Sequence, residues 1–340
     1  MALNAQDYQA GGSGSGITTS WPASSGLVTP PAHPPKKKSS PPASGVAGGA
    51  LFGGTSTLVP EEHKLGRTLA IVRVYYLIGQ DFHNPAILKA GSTLLVSLDS
   101  KHYSYASIAA GREDRSILSF MKAVNAAAYQ YHLNAIYFTF EHEPLSPEHI
   151  GLGTAAQFVR AWDHVHALAA SAHLDWNDGG RMHWVLIMIH NQYSAGEGIA
   201  SYWPGSNEVD IVGADGYNSY ACRMHRTHKP ITPRGQAGVN PSWAFGPVLS
   251  FARSHGRMPV FVAEWGSDTE PAGIQATFIR EMSSFVAANP QIAAAMYWDN
   301  DGVSANGVAC DYAVNNNPAS LAALATMGRS SALQGTAHVK

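Results

Sequence analysis

The stretch Ile136–Leu145, IYFTFEHEPL, has the pattern that decides the fold of this chain. Its first five residues can fill a buried β-strand, and two glutamates and a histidine follow before a proline ends the pattern. A second stretch, Pro259–Asp268 (PVFVAEWGSD), has the same form, with Glu264 directly after its apolar residues. Two strands that each deliver a carboxylate to the edge of a sheet predict a parallel barrel with both groups at its mouth.

Apolar runs of this kind recur along the chain and are typical of a parallel sheet covered on both faces. Eight strands are expected, at Ala50–Gly53, Leu69–Tyr76, Thr93–Leu98, Ala135–Phe140, His183–Ile189, Val209–Ala214, Pro259–Ala263 and Ala293–Trp298. Helical patterns lie between them at Arg115–Tyr129, Thr154–Ala170, Pro241–His255 and Ile274–Ala288. This alternation predicts an α/β fold, a (β/α)8 TIM barrel. The alternative is a doubly wound open sheet, which the lack of a Gly-rich phosphate turn disfavours.

The two ends of the chain differ in composition from its centre. Residues 1–48 are rich in Gly, Ser, Pro and Ala, and they predict a flexible, disordered tail or linker. We expect one barrel domain over residues 49–328 and a short C-terminal tail over residues 329–340. The first residues do not have the basic and apolar pattern of a signal peptide.

Composition disfavours several classes of protein. The chain has 340 residues, a net charge of −2 and 14% charged residues, so neither disorder nor a polyanion partner is indicated. Its one basic run, Lys36–Lys38, lies in a proline-rich stretch, and no apolar run has the length of a transmembrane helix. We expect no nucleic-acid partner, no membrane association and a monomer.

The carboxyl ends of parallel barrel strands meet on one face. They would bring together Asp99, His142, Glu143, Asn191, Asp215, Tyr217, Glu264 and Trp298. This set is rich in carboxylates and aromatic rings, and hydrolysis of a glycosidic bond fits it best, because that reaction uses a carboxylic acid, a carboxylate and a surface that holds a sugar. One of Glu143 and Glu264 would keep its proton, and the other would stay ionised with help from a donor such as Tyr217. Glu141 is a rival candidate to Glu143.

Five segments occur in an order that is typical of one family. They are Tyr105–Val124, Phe140–Pro144, Thr154–Leu168, Tyr202–Asn218 (YWPGSNEVDIVGADGYN) and Pro259–Ser267 (PVFVAEWGS). Together they resemble glycoside hydrolase family 26, whose members are (β/α)8 barrels and include β-mannanases. The chain departs from the family at Thr139, where an arginine is usual, and at residues 144–147 (PLSP), where the mannanases usually read Met-Asn-Gly.

The resemblance implies roles for individual residues. Glu143 would be the acid/base and Glu264 the nucleophile, with His142 beside the acid/base, Tyr217 bonded to the nucleophile and Trp298 as a sugar platform. No cofactor and no metal would be needed. Further candidates for substrate binding are Trp265, Asn191, Asp215, Asp99 and Trp203.

We therefore expect a retaining glycoside hydrolase that cleaves a β-linked polysaccharide, with β-1,4-mannan as the first substrate. The alternatives are a β-1,3-xylanase, a β-glucanase or lichenase, and a barrel that binds carbohydrate without cleaving it. A secreted or extracellular location is expected, with a cytoplasmic one still open. Cys222 and Cys310 fit one disulfide or two free thiols; a disulfide is a hypothesis, because both follow strands on the same face.

Overall fold

The computed structural model of the chain describes residues 46–83, 87–100, 102–194, 198–219, 222–224, 226–229, 240–303 and 307–337. The predicted N-terminal tail falls almost wholly on residues 1–45, which lie outside the described part of the chain. The described residues cover the predicted barrel apart from loop segments.

Eight parallel strands close into a barrel, which confirms the predicted TIM-barrel fold. In barrel order they are β1 (Val46–Thr55), β2 (Ile71–Leu77), β3 (Thr93–Asp99), β4 (Ala135–Phe140), β5 (Met182–Ile189), β6 (Ile211–Asn218), β8 (Val260–Ser267) and β9 (Ile292–Tyr297). A short strand outside the barrel, β7 (Arg223–Met224), lies between β6 and β8 in sequence. Residues 51–54 of β1 pair with residues 294–297 of β9, and this pairing closes the barrel.

Helices surround the barrel. They are α1 (Glu62–Leu65), α2 (Tyr105–Ala109), α3 (Asp114–Gln130), α4 (Ala155–Ser171), α5 (Ile199–Tyr202), α6 (Pro241–Ser254), α7 (Ile274–Ala288) and α8 (Pro318–Gly328). The four predicted helices are α3, α4, α6 and α7, each within one residue of its expected bounds. Thr154 begins α4 as a capping box with Gln157, each side chain accepting a hydrogen bond from the other's backbone N–H.

Alternation along each strand sends every second side chain into the barrel. The interior is filled by an apolar cluster that includes Leu51, Ile71, Leu95, Tyr137, Val185, Ile187, Ile211, Phe261 and Met296. The residues between them on each strand, such as Val72 and Phe138, belong to a second cluster between barrel and helices. Polar side chains replace the apolar filling toward the carboxyl ends of the strands, beginning with the buried Arg73 of β2.

The fold extends further along the chain than the sequence predicts. Residues 334–337 form a strand, β12 (Gln334–Ala337), which pairs antiparallel with β1 and sets Val46 opposite Ala337. The first strand therefore begins at Val46 rather than Ala50, and much of the expected C-terminal tail (329–340) is part of the fold. The four residues QGTA carry too little apolar patterning to indicate a strand.

A small antiparallel sheet lies at the carboxyl end of the barrel. It consists of β7, β10 (Asp301–Val303) and β11 (Val308–Asp311). A disulfide between Cys222 and Cys310 joins the segment after β6 to the segment after β9, which confirms the hypothesis of a disulfide. The bond ties together two loops that are 88 residues apart in sequence.

We predict that the disulfide stabilises the whole domain. Cross-links that close long loops contribute typically about 2–4 kcal/mol to the free energy of unfolding, by restricting the unfolded chain. The double variant Cys222→Ala, Cys310→Ala should lose stability of that size in urea unfolding. Wild-type protein in reductant should lose a similar amount, and reductant should leave the double variant unchanged. Equal stability of oxidised and reduced wild type would contradict the prediction.

Candidate active site

Glu264 lies near the end of β8, in the centre of a cluster of donors. It is buried, and its two carboxylate oxygens accept hydrogen bonds from the phenol groups of Tyr75 on β2 and Tyr217 on β6. The guanidinium of Arg73 lies 2.9 Å from the same oxygen that Tyr75 contacts. Three donors thus converge on one carboxyl group and fix its position.

Arg73 is a fully buried cation shared by two acids. Its Nη1 lies 2.9 Å from Oδ1 of Asp215 as well as 2.9 Å from Glu264, and its other nitrogens lie 3.4 Å from the hydroxyl of Ser97. Burial disfavours the charged guanidinium, but the two carboxylates outweigh it and raise the pKa of Arg73 well above its usual range. Burial also raises the pKa of Asp215 to about 7, against the lowering effect of Arg73. The cluster therefore contains two carboxyl groups and one guanidinium.

A bulge in β8 directs Glu264 into the barrel. The register against both neighbouring strands shifts between Val262 and Trp265. Ala263 belongs to the interior cluster, so strict alternation would send Glu264 outward. The additional residue turns the glutamate inward and the tryptophan outward, as bulges beside active sites commonly do.

Trp265, predicted as a substrate contact, is not brought to the site. Its ring is fully buried between barrel and helix, with Phe278 of α7 at 6.3 Å and Tyr297 of β9 at 4.8 Å. The reason is the bulge, which places the tryptophan on the opposite side of β8 from Glu264.

Glu143 lies just beyond β4, in a turn where its φ is +50°. Burial raises the pKa of Glu143 well above its usual range, and the negative charges of Asp215 and Glu264 raise it further. Among the described residues, the hydrogen bonds of Glu143 are made by its main chain, to Ile187 and to the segment that follows. The raised pKa favours the protonated form of its carboxyl group, which is available to a bound molecule.

His142 and Asp99, both predicted site residues, form a pair beside Glu143. Nδ1 of His142 lies 2.9 Å from a carboxylate oxygen of Asp99, at the end of β3. Burial disfavours the imidazolium, but the carboxylate outweighs it and raises the pKa of His142 to about 10. The same charge contributes to lowering the pKa of Asp99, against burial. His142 is therefore a cation near neutral pH.

Glu141, the rival acid, faces a different set of partners. It is fully buried, one carboxylate oxygen accepts from the backbone N–H of Ser100 at 2.6 Å, and the other lies 3.2 Å from His149. Its φ of +52° shows that extended strand geometry ends at Phe140, so Glu141 and Glu143 are not related by strand alternation. The selection of Glu143 over Glu141 remains a prediction, and this geometry favours it.

Aromatic rings surround the carboxylates at the mouth. The half-buried Trp298 follows β9 and contacts Tyr75 edge to face at 5.5 Å, and Tyr75 contacts His142 at 5.4 Å. Tyr217 stacks on Tyr312 at 4.9 Å, and Tyr312 directly follows β11. These rings offer flat apolar surface next to Glu264, the kind of surface that packs against the face of a sugar ring.

Two other candidates lie apart from this cluster. Trp203 packs against Phe251 at 5.2 Å and His255 at 5.4 Å, at the C-terminal end of α6 and before β6 begins. That places it toward the opposite end of the barrel from the carboxylates, so the structure does not bring it to the site. Asn191 is exposed in the turn that follows β5, at the carboxyl end of the barrel.

Sequence reasoning missed the arginine that connects these acids. Arg73 interrupts the apolar run LAIVRVYY, and a charge inside a strand pattern was the signal that could have found it. The resemblance places an arginine at position 139, where this chain has a buried threonine; in the structure a guanidinium reaches the acids from β2 instead. Tyr75 was one of two tyrosines at the end of its strand, and the other, Tyr76, faces outward against Phe120.

One group of residues has the side chains of a metal site. Cys222, Asp268 and Cys310 lie together, but the two sulfur atoms are bonded to each other, so only the carboxylate is a ligand of ordinary strength. A cavity lined by residues 46–50, Pro259 and Ile292 lies at the amino-terminal ends of the strands, away from the carboxylates.

Fold and geometry together define a class of protein: a (β/α)8 barrel with a buried, arginine-linked pair of acids and a glutamate of raised pKa at its carboxyl-end mouth. The structure is similar to the catalytic domain of a family 26 endo-β-1,4-mannanase from Bacillus sp. JAMB-750, with a TM-score of 0.57 and 15% identity over 84% of this chain and 86% of that one.

Two further structures are similar at the same level. A modular endo-β-1,4-mannanase from Cellulomonas fimi gives a TM-score of 0.57 and 13% identity, covering 86% of this chain and 75% of that one. A family 26 β-mannanase from Bacteroides ovatus gives 0.53 and 13%, covering 84% and 89%. The resemblance to glycoside hydrolase family 26 is thus confirmed at the level of the fold.

Comparisons of sequence add no relative: no protein-family model and no curated protein matches the chain. Within the described segments, every helix is too short or too polar to cross a membrane.

We predict that His142 makes stability depend on pH. Because its pKa in the folded protein is raised from 6.5 to about 10, the stabilisation is complete below 6.5 and is lost as pH rises toward 10. The loss has an upper limit of about 1.4 kcal/mol per pH unit. Urea unfolding between pH 6.5 and 9.5 should show this slope in the wild type and a shallower one in His142→Asn. The exposed His63→Asn is the control and should keep the wild-type slope.

Proposed function

We propose that this protein is a retaining glycoside hydrolase that acts on a β-linked polysaccharide, and that β-1,4-mannan is the substrate to test first. One observation carries the proposal. Donors from Arg73, Tyr75 and Tyr217 hold the carboxyl group of Glu264 in place, while Glu143 has a raised pKa. Double displacement needs a fixed carboxyl nucleophile and an acid that holds a proton, and these two glutamates would supply them.

In the first step, Glu264 attacks the anomeric carbon and forms a covalent glycosyl ester. The bond between that carbon and the leaving oxygen breaks, and Glu143 donates its proton to this oxygen. The positive charges of Arg73 and His142 remain in place. The phenols of Tyr75 and Tyr217 hold the carboxylate in position until it reacts.

In the second step, Glu143 acts as a base. It takes a proton from a water molecule, whose oxygen attacks the anomeric carbon and releases Glu264 as a carboxylate. Glu143 is then protonated again, and both groups have returned to their starting states. The configuration at the anomeric carbon is retained, because it inverts twice.

The choice of mannan rests on the structural neighbours. The similar proteins from Bacillus and Cellulomonas fimi are described as endo-β-1,4-mannanases, and at 13–15% identity the same sugar is an inference for this chain. Residues 144–147 differ from the mannanase pattern, so β-1,3-xylan and mixed-linkage β-glucan belong in the same trial. We place Trp298 and Tyr75 against the sugar ring at the point of cleavage, with His142 and Asp99 near its hydroxyl groups.

A location outside the cell fits a polysaccharide substrate. The Cys222–Cys310 disulfide supports it, because disulfides persist mainly in oxidising compartments.

Glu264→Ala should abolish turnover, since no nucleophile remains. Release of reducing sugar from mannan, xylan and β-glucan should be measured for wild type and variant under the same conditions. Glu148→Ala, which removes an exposed carboxylate from the loop after Glu143, is the matched control and should retain wild-type activity. Full activity of Glu264→Ala on the substrate of the wild type would falsify its assignment as nucleophile.

Glu143→Ala should separate substrates by their leaving group. Hydrolysis of the polysaccharide should fall by about 10²–10⁴, because the leaving oxygen needs a proton. For a 2,4-dinitrophenyl glycoside the leaving group is stable as an anion, so kcat/KM should change little while the glycosyl ester accumulates as an adduct visible by mass spectrometry. Equal losses on both substrates would rule out the acid role.

Binding without cleavage is the competing outcome. If the wild-type protein binds mannan, xylan or β-glucan in isothermal calorimetry and releases no reducing sugar from any of them, the barrel is a carbohydrate-binding module and the catalytic proposal fails.

A further inference from the structure

The imidazole of His149 lies behind the proposed acid/base, six residues further along the chain. Its Nε2 is 3.2 Å from a carboxylate oxygen of the fully buried Glu141. Its Nδ1 is 2.9 Å from the backbone carbonyl oxygen of Glu143 and 3.1 Å from the hydroxyl of Ser146. One ring thus connects the side chain of Glu141 with the backbone of Glu143.

The backbone of this segment adopts an uncommon conformation. Glu141 and Glu143 both have left-handed φ values, +52° and +50°, which side chains other than glycine rarely adopt. Such a backbone conformation is unfavourable and persists only where surrounding contacts hold it. The direction of the Glu143 carboxyl group depends on this backbone, so the contacts that hold it also decide where the acid points.

The other contacts fix the segment from both sides. The N–H of Glu141 donates to Leu98 of β3, and the N–H of Glu143 donates to Ile187 of β5. The N–H of Ser146 donates to the carbonyl of Glu143 at 2.8 Å. His149 adds the one side-chain contact, within the described residues, that reaches both left-handed positions.

The contacts of His149 with Glu141 and Glu143 form a bridge between these two residues. Nδ1 donates a hydrogen bond to the backbone carbonyl oxygen of Glu143, and Nε2 lies within ion-pair distance of the carboxyl group of Glu141. The second oxygen of Glu141 accepts from the backbone N–H of Ser100.

We propose that His149, fixed by Glu141, is a positioning residue that orients the carboxyl group of Glu143 toward the bond being cleaved. The inference rests on the proposed function of Glu143 and assigns a role to Glu141 other than that of the acid. His149 touches no reacting atom, so its effect passes through the backbone of Glu143.

The test compares His149→Ala with His164→Ala, which removes a partly exposed histidine that pairs with Asp114 on the outside of the barrel. A small displacement of a reacting group can cost up to about 100-fold in rate. We expect His149→Ala to lose 10- to about 100-fold in kcat/KM on the polysaccharide. On the 2,4-dinitrophenyl glycoside, which needs no proton from Glu143 in the first step, kcat/KM should stay near that of the wild type. His164→Ala should match the wild type on both.

Two conservative variants separate the halves of the bridge. In His149→Asn the amide nitrogen can replace Nδ1 and donate to the carbonyl of Glu143. In His149→Gln it can replace Nε2 and contact Glu141. We expect His149→Asn to retain more activity on the polysaccharide than His149→Gln, because the asparagine restores the contact with the backbone of Glu143. Equal losses on both substrates in all three variants would overturn the proposal, since a general loss of structure has that effect.

Hydrogen exchange decides the inference independently of catalysis. The amides of Glu143 and Ser146 should exchange faster in His149→Ala than in the wild type, and His164→Ala should leave them unchanged. If the wild type cleaves no glycoside, the proposed function fails while exchange still tests the bridge. Unchanged exchange in His149→Ala would overturn it.

Discussion

The buried guanidinium of Arg73 is the interaction on which the site depends. Asp215 and Glu264 both lie in the interior of the barrel, where an isolated carboxylate would be too costly to keep ionised. One cation within 2.9 Å of each offsets part of that cost, although the pKa of Asp215 is still raised to about 7. The pKa of Glu143 is raised by burial and by the negative charges of Asp215 and Glu264. The charge of Arg73 acts against this rise, and burial and the two neighbouring acids outweigh it.

The alternation of side chains along the barrel strands directs these charged groups toward one another. Arg73 and Tyr75 are two residues apart on β2 and therefore face the same interior, as do Asp215 and Tyr217 on β6. Glu264 reaches them because a bulge reverses the alternation of β8 at the one position where the acid is needed. The same bulge moves Trp265 into the apolar layer against α7.

Hydrophobic periodicity in the sequence predicted the eight strands and the four long helices. The ends of the predicted strands placed Glu143, Glu264 and Tyr217 at the mouth of the barrel. It did not predict Arg73, because a charge within an apolar run has no periodic signature. It also misplaced Trp265, since a bulge depends on pairing with both neighbours and is invisible in one strand. Trp203 was misplaced because the segment before β6 lies at the other end of the barrel.

Two loops at the rim of the barrel contact the central acids. His149 stands in a loop whose residues 144–147 depart from the mannanase pattern, yet its contacts converge on the backbone of Glu143. On the opposite side, Tyr312 follows the disulfide-linked β11 and stacks on Tyr217, which donates to Glu264. Each proposed catalytic glutamate is therefore supported by a loop that also forms the rim. Under the proposed function, a change in either loop that alters the cleft for a different sugar must also preserve the position of the glutamate it supports, which would couple selectivity to catalysis.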